Sequence, residues 1–139
     1  MSLTVRDIMS PHLLYVDGED SAEVVRQKLV RFGVSGAPVL DRAYRVVGFV
    51  SLRDLSPDGK TVRITVPAVT VGPTEPILSA ARRLAERDLR HLVVADDRGV
   101  ALGMVSALDF VRALTGMPPR HPAALDVDCS SSAAFPDDR

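Results

Sequence analysis

Gly48-Phe49-Val50-Ser51-Leu52-Arg53-Asp54 and Gly103-Met104-Val105-Ser106-Ala107-Leu108-Asp109 are one pattern written twice, 55 residues apart. In each copy a glycine opens an apolar run of strand type and a hydroxyl stands at its end. A carboxylate follows three residues later, where a helix would make its first turn. Sliding the whole chain by the same spacing brings four further identities into register without a gap: Val16 on Val71, Leu29 on Leu84, Val39 on Val94 and Asp41 on Asp96. Self-similarity at a fixed period marks two copies of one supersecondary unit.

Working outward from the first copy, Leu13 to Val16 reads as a short strand, and Asp20 with Glu23 resembles a capping box. Ala22, Val25, Leu29 and Phe32 step by three or four along one helical face, and Gly33 is a natural stop. Ala37 to Leu40 and Val46 to Ser51 are apolar runs joined by the polar segment Asp41 to Arg45, as in a hairpin packed against helices. The second copy repeats the plan. Val69 to Val71 reads as strand, and a helix from about Glu75 to Arg87 carries Ile77, Ala80, Ala81 and Leu84 inward, with Pro76 in its first turn. His91 to Ala95 and Ala101 to Ser106 form a second hairpin. A last helix spans Ala107 to Leu114, ended by Gly116, Pro118 and Pro119. Each unit is therefore strand, helix, strand, strand, helix. The apolar face of its sheet is too large for one unit to hide, so the chain is expected to be an α/β (α+β) protein whose repeats pack as one pseudo-twofold module.

The first repeat, with a lead-in helix capped by Thr4 and Asp7, is assigned to residues 4–59, the second to 60–115, and a disordered tail to 116–139. The chain has 139 residues, 46% of them apolar, and a formal net charge of -1 from 17 basic and 18 acidic side chains. That balance recruits neither nucleic acid nor an anionic membrane, and no apolar run approaches the roughly 20 residues needed to cross a bilayer. A cytoplasmic protein is expected. Cys129 has no partner cysteine, and His12, His91 and His121 are too scattered for a metal site.

The chemistry concentrates in the duplicated motif. A hydroxyl beside free helix N–H groups suits a phosphate, and the carboxylate can accept two hydrogen bonds from a ribose diol. Ser followed by Asp at that spacing is equally a helix cap that needs no ligand. No Gly-x-Ser-x-Gly elbow, phosphate-binding glycine loop or paired-cysteine site is present, so an enzyme is not expected.

Together with the opening Val5-Arg6-Asp7-Ile8-Met9-Ser10-Pro11 and the run Ala37-Pro38-Val39-Leu40-Asp41, the two motifs make the stretch from about Thr4 to Thr115 resemble a CBS domain pair, or Bateman module. The resemblance implies a regulatory ligand (AMP, ADP, ATP or S-adenosylmethionine) bound in clefts between the repeats. No cofactor is required, and a homodimer and an unidentified protein partner are implied. Carried over residue by residue, it assigns phosphate contact to Ser51 and Ser106 and the ribose to Asp54 and Asp109. The purine falls to the strand exits, Tyr15 to Gly18 and Thr70 to Pro73, with Val16, Asp17, Val71 and Gly72 at their centre. Arg90 and His91 stand where members of the family aim basic residues at phosphate. Arg53 is read as neutralising Asp54. Two departures stand out: Val93 occupies the position of Pro38, and Ser56-Pro57-Asp58-Gly59 cuts the first repeat's final helix to about a turn.

Overall fold

The structure, a computed structural model, describes residues 3–58, 60, 63–65 and 68–120. It contains two three-stranded sheets in two compact units, one from Leu14 to Ala68, the other from the described residues up to Leu13 together with those from Val69 onward. The elements follow the chain as α1 (Val5–Ile8), β1 (Val16–Asp17), α2 (Ala22–Arg31), β2 (Gly36–Leu40), β3 (Val46–Ser51), a 3-10 turn (Leu52–Asp54), β4 (Thr70–Val71), α3 (Ile77–Glu86), β5 (His91–Ala95), β6 (Ala101–Ser106) and α4 (Ala107–Leu114). In each sheet the two-residue strand runs parallel to the middle strand, which pairs antiparallel with the third.

The first unit closes its core with Val16, Val25, Leu29, Ala37, Val39 and Val50. The α2 positions read as inward, Ala22, Val25 and Leu29, are buried, while Phe32 is half-buried. The helix start differs from expectation. Ser21, not Asp20, is the cap, its hydroxyl accepting the Val24 N–H at 3.2 Å. Asp20 is drawn elsewhere, taking the Asp17 N–H at 3.0 Å and the Lys28 ammonium at 2.8 Å. At the other end Gly33 (φ 66) closes the helix, its N–H on the Val30 carbonyl and that of Val34 on Leu29. Asp88 (φ 54) does the same for α3, with bonds from Asp88 to Ala85 and from Leu89 to Leu84. Aspartate tolerates that left-handed conformation better than most side chains.

Both hairpins turn on the duplicated aspartate. Asp41 Oδ1 accepts the N–H groups of Ala43 and Arg45 at 2.8 and 3.0 Å, and Asp96 Oδ1 those of Arg98 and Val100 at 2.8 and 2.9 Å. That identity is a turn device. The Pro38 to Val93 difference also has a local reason: the Val93 N–H bonds the Val69 carbonyl at 3.4 Å, a bond proline cannot make. Accordingly β4 begins at Thr70, one residue earlier in the repeat than β1 at Val16. Pro76 is the N-cap of α3 and not part of its first turn, because its ψ of 144° is still extended.

The second unit gathers Val71, Ala80, Leu84, Leu92, Val94, Val105 and Phe110 around Val5, Ile8 and Met9 of the lead-in segment. As the sequence implies, α1 is capped by Thr4 and Asp7, the Thr4 N–H reaching Asp7 Oδ2 at 2.8 Å. Backbone pairing carries the segment into the second unit. Ser10 and Met104 exchange N–H···O bonds of 2.7 and 3.1 Å along the outer edge of β6, and Val5 and Arg6 donate to Glu75 and Pro73. A Cβ on Gly103 would lie 2.3 Å from the Ser10 carbonyl oxygen, so the pairing requires glycine there. The first unit repeats the device at the same spacing: Thr65, from the opening segment of the second repeat, exchanges bonds of 2.9 and 2.8 Å with Phe49 on β3.

The disordered tail was expected over 116–139. Residues 121–139, with His121 and Cys129, lie outside the described residues, whereas Gly116–Arg120 are described. Among the described residues no helix is long and apolar enough to cross a membrane.

Candidate functional site

Each strand that carries the motif hands over to its turn through the same pair of side chains. At the end of β3 the Ser51 N–H and hydroxyl both donate to Asp54 Oδ2, at 2.8 and 3.0 Å. At the end of β6 the Ser106 N–H donates to Asp109 Oδ2 at 2.8 Å, and the Ser106 hydroxyl accepts the Asp109 N–H at 3.2 Å. Both pairs are capping boxes, so the capping reading of the motif is realised in the fold. Their surroundings differ. Asp54 is half-buried on a single 3-10 turn, whereas Asp109 is 5% exposed on a helix of two turns. The remaining oxygen of Asp109, Oδ1, meets the Arg120 guanidinium at 3.2 Å.

Arg90 and His91 reach the same place from β5. His91 pairs with Ser106 across the hairpin, and the Arg90 carbonyl accepts the Ala107 N–H at 2.9 Å, satisfying the first turn of α4. Ser35 does the same for Leu52 in the first repeat, also at 2.9 Å. The Arg90 side chain is exposed and His91 half-buried. Burial pushes the His91 imidazole below its ordinary value, and Arg90 adds to this, against the opposing pull of the Asp109 carboxylate. A depressed folded value means that neutral His91 favours the fold. Stability from this source is expected to be complete above the ordinary value of 6.5 and to be lost as pH falls through the lower folded one. Thermal unfolding of the unaltered chain and of His91→Gln, scanned from about pH 7.5 to about pH 5, checks this. The variant should show a shallower acid-side decline, and parallel curves would refute the assignment.

The strand exits form a separate locus. Thr70 to Thr74 with Arg83 and Ala95 to Asp97 line an open cavity of about 460 Å³ that includes Val71 and Gly72. An added Cβ on Gly72 would meet nothing within 4 Å, so the backbone there is open to approach. Val16 is a buried core residue, while Asp17 is exposed, its Oδ1 holding the Glu19 N–H at 2.8 Å. Within the second repeat Val71 pairs with Val94 and Ser106 with His91. At about 3.3 Å per residue the strand exit and the Ser–Asp pair of one repeat stand about 10 Å apart along β5. The predicted residues thus form two groups in this unit, Ser106, Asp109, Arg90 and His91 at one end of the strand, Val71 and Gly72 at the other.

One duplicated feature of the strand exits escaped the sequence reading. Lys28 pairs with Asp20 at 2.8 Å and Arg83 with Glu75 at 3.0 Å, tying each strand exit to the second turn of its helix. Arg83 also donates to the Thr70 carbonyl at 2.9 Å. Both pairs keep the spacing of 55, but as charge types and not identities, so a comparison by charge would have found them.

The family model described as CBS domain matches residues 5–56 and again 60–116. The structure of CBSX2 in complex with AMP is 31% identical, with a TM-score of 0.74 over 82% of this chain and 97% of that one. CBSX2 is a CBS-pair protein from Arabidopsis thaliana. The CBS domain of a bacterial CNNM/CorC family Mg2+ transporter in complex with ATP is 25% identical, with a TM-score of 0.71 over 83% of this chain and 89% of that one. Among curated proteins, inosine-5'-monophosphate dehydrogenase of Korarchaeum cryptofilum is 30% identical over an alignment of 113 residues that covers 78% of this chain and 22% of that enzyme. The chain spans between 22% and 28% of the length of the first curated relatives it matches. With both copies of the motif inside matched repeats, and structural neighbours that are themselves tandem pairs, this chain belongs to the CBS domain family as a CBS domain pair.

Proposed function

We propose that the chain is a non-catalytic regulatory module of the cytoplasm that binds an adenosine compound and passes its presence to a protein partner. The observation that carries the reading is the pair of Ser–Asp units at the ends of β3 and β6, built alike and 55 residues apart. Ser51 and Ser106 are assigned to phosphate, Asp54 and Asp109 to the ribose hydroxyls, Arg90 and His91 to phosphate, and the exits around Val16, Asp17, Val71 and Gly72 to the purine. The neighbours solved with AMP and with ATP support the ligand class. Binding acts on a partner only if one arrangement of the repeats holds the ligand better than another.

Thermal unfolding with AMP, ADP, ATP and S-adenosylmethionine tests the proposal. A compound present at 100 times its dissociation constant should add about 2.7 kcal/mol of stability. A folded sample that none of the four stabilises would refute it.

A second reading, a dimeric interaction module with unoccupied sites, is favoured by one observation. Leu108, Val111 and Leu114 on α4, with Met117 beyond it, are each about half exposed, at 51, 53, 53 and 49%. A stripe of that kind suits a partner surface, and a second copy of the chain is the occupant assigned to it.

A further inference from the structure

Gly116 to Arg120 turn back along α4. The reversal begins at Gly116, whose φ of 79° is a left-handed conformation that glycine adopts without strain. The Gly116 and Met117 N–H groups bond the carbonyls of Ala113 and Arg112 at 3.2 and 2.8 Å. Arg112 then clamps the Pro118 carbonyl with two donors, at 3.2 and 2.8 Å. Pro118 and Pro119 stiffen the approach to Arg120. The result is that Arg120, 11 residues beyond Asp109 in sequence, places its guanidinium 3.2 Å from Asp109 Oδ1.

The pair is unequal in its exposure: the Asp109 side chain is 4% exposed and that of Arg120 43%. The carboxylate is fixed by the fold, and the cation can leave it for water or for another anion. Arg90 adds positive charge to the surroundings, beside a His91 whose burial favours the neutral form. At the spacing of 55, Arg90, His91 and Arg120 correspond to Ser35, Gly36 and Thr65. These three basic residues near the Ser106–Asp109 pair therefore have uncharged counterparts.

We propose that Arg120 is a specificity-determining residue, selecting adenosine phosphates over S-adenosylmethionine at the Ser106–Asp109 pair. This rests on the adenosine-ligand reading of the Ser–Asp units. A ribose that takes Asp109 Oδ1 displaces the guanidinium. A phosphate on the same ligand offers the released cation a new anion close by, in a charge-assisted contact of the kind a guanidinium makes bidentately. S-adenosylmethionine brings a sulfonium and an ammonium with a single carboxylate, so it offers the guanidinium fewer anionic oxygens than a polyphosphate and adds net positive charge next to Arg90.

Calorimetric titration of the full chain tests this. The unaltered chain is titrated first with ATP and S-adenosylmethionine, and then Asp54→Ala, so that one Ser–Asp pair remains intact, with and without Arg120→Ala. With Arg120 present, ATP should bind more tightly than S-adenosylmethionine by about tenfold, the lower end of what a hydrogen bond to a charged group contributes. Arg120→Ala should abolish that preference, because S-adenosylmethionine no longer has to displace the guanidinium while ATP loses the contact that offset the displacement, and Arg120→Lys should restore part of it. A purely structural Arg120 would weaken both ligands equally, which overturns the inference, as does an unchanged ratio. If the unaltered chain binds neither compound, the ligand reading fails and the inference with it. Binding whose selectivity ignores Arg120 overturns the inference alone.

Discussion

A chain lacking residues 1–10 is expected to lose the fold of its second repeat, even though the deletion lies more than 50 residues away in sequence. Val5, Ile8 and Met9, exposed by only 0, 2 and 7%, belong to the core of that unit. Burying one such side chain contributes about 1.5–3 kcal/mol, so three together supply about 5–9 kcal/mol as an upper estimate. That rivals the whole stability of a typical domain, about 5–15 kcal/mol. The edge of β6 also loses the Ser10 pairing. A milder probe of the same contact is Gly103→Ala, whose new methyl group meets the Ser10 carbonyl at 2.3 Å and should cost about 1–3 kcal/mol as overpacking. Hydrogen exchange read on β5 and β6 checks both variants. Full protection of these strands in the truncated chain would show that the lead-in is only an appendage.

The two duplicated carboxylates should prove unequal in the absence of any ligand. Asp109→Ala leaves the half-buried Ser106 N–H without its acceptor, at about 1–2 kcal/mol, and strips Arg120 of its partner, which adds up to about 1 kcal/mol. Its total is expected near 2–3 kcal/mol. Asp54→Ala, at a half-buried turn where water can take over the Ser51 N–H, should cost only about 1 kcal/mol. Urea unfolding of the two variants gives the comparison, and equal midpoint shifts would contradict it. The Ser106→Ala, Asp109→Ala double variant should lose less than the sum of its parts by about 1 kcal/mol, because the two side chains share one hydrogen-bonded unit.

These expectations also show where the sequence could be read and where it could not. Runs bounded by strong turn residues came through with their limits: β5, β6 and α4 lie where His91 to Ala95, Ala101 to Ser106 and Ala107 to Leu114 were drawn. Helix starts did not. Asp20 and Ser21 both cap well, and the competing contacts of Asp20 with the Asp17 N–H and Lys28 decide between them. At the candidate site the Ser–Asp units were legible because they are local and repeated. The Arg120 contact was not, since it depends on a reversal at Gly116 followed by a clamp from Arg112, and neither leaves a periodic trace. The edge pairings were hidden for the same reason: a single residue such as Ser10 opposite Met104 has no alternation to betray it.

That exchange of edges bears on how the molecule can be divided. A fragment cut where the sequence repeats, between Gly59 and Lys60, separates Phe49 from Thr65 and Ser10 from Met104, so each half carries away the piece that finishes the other. The stretch 14–68 is the one contiguous segment that keeps its own outer pairing, and its complement becomes continuous only if the native termini are joined. For this chain the unit of inheritance and the unit of assembly are offset by about ten residues.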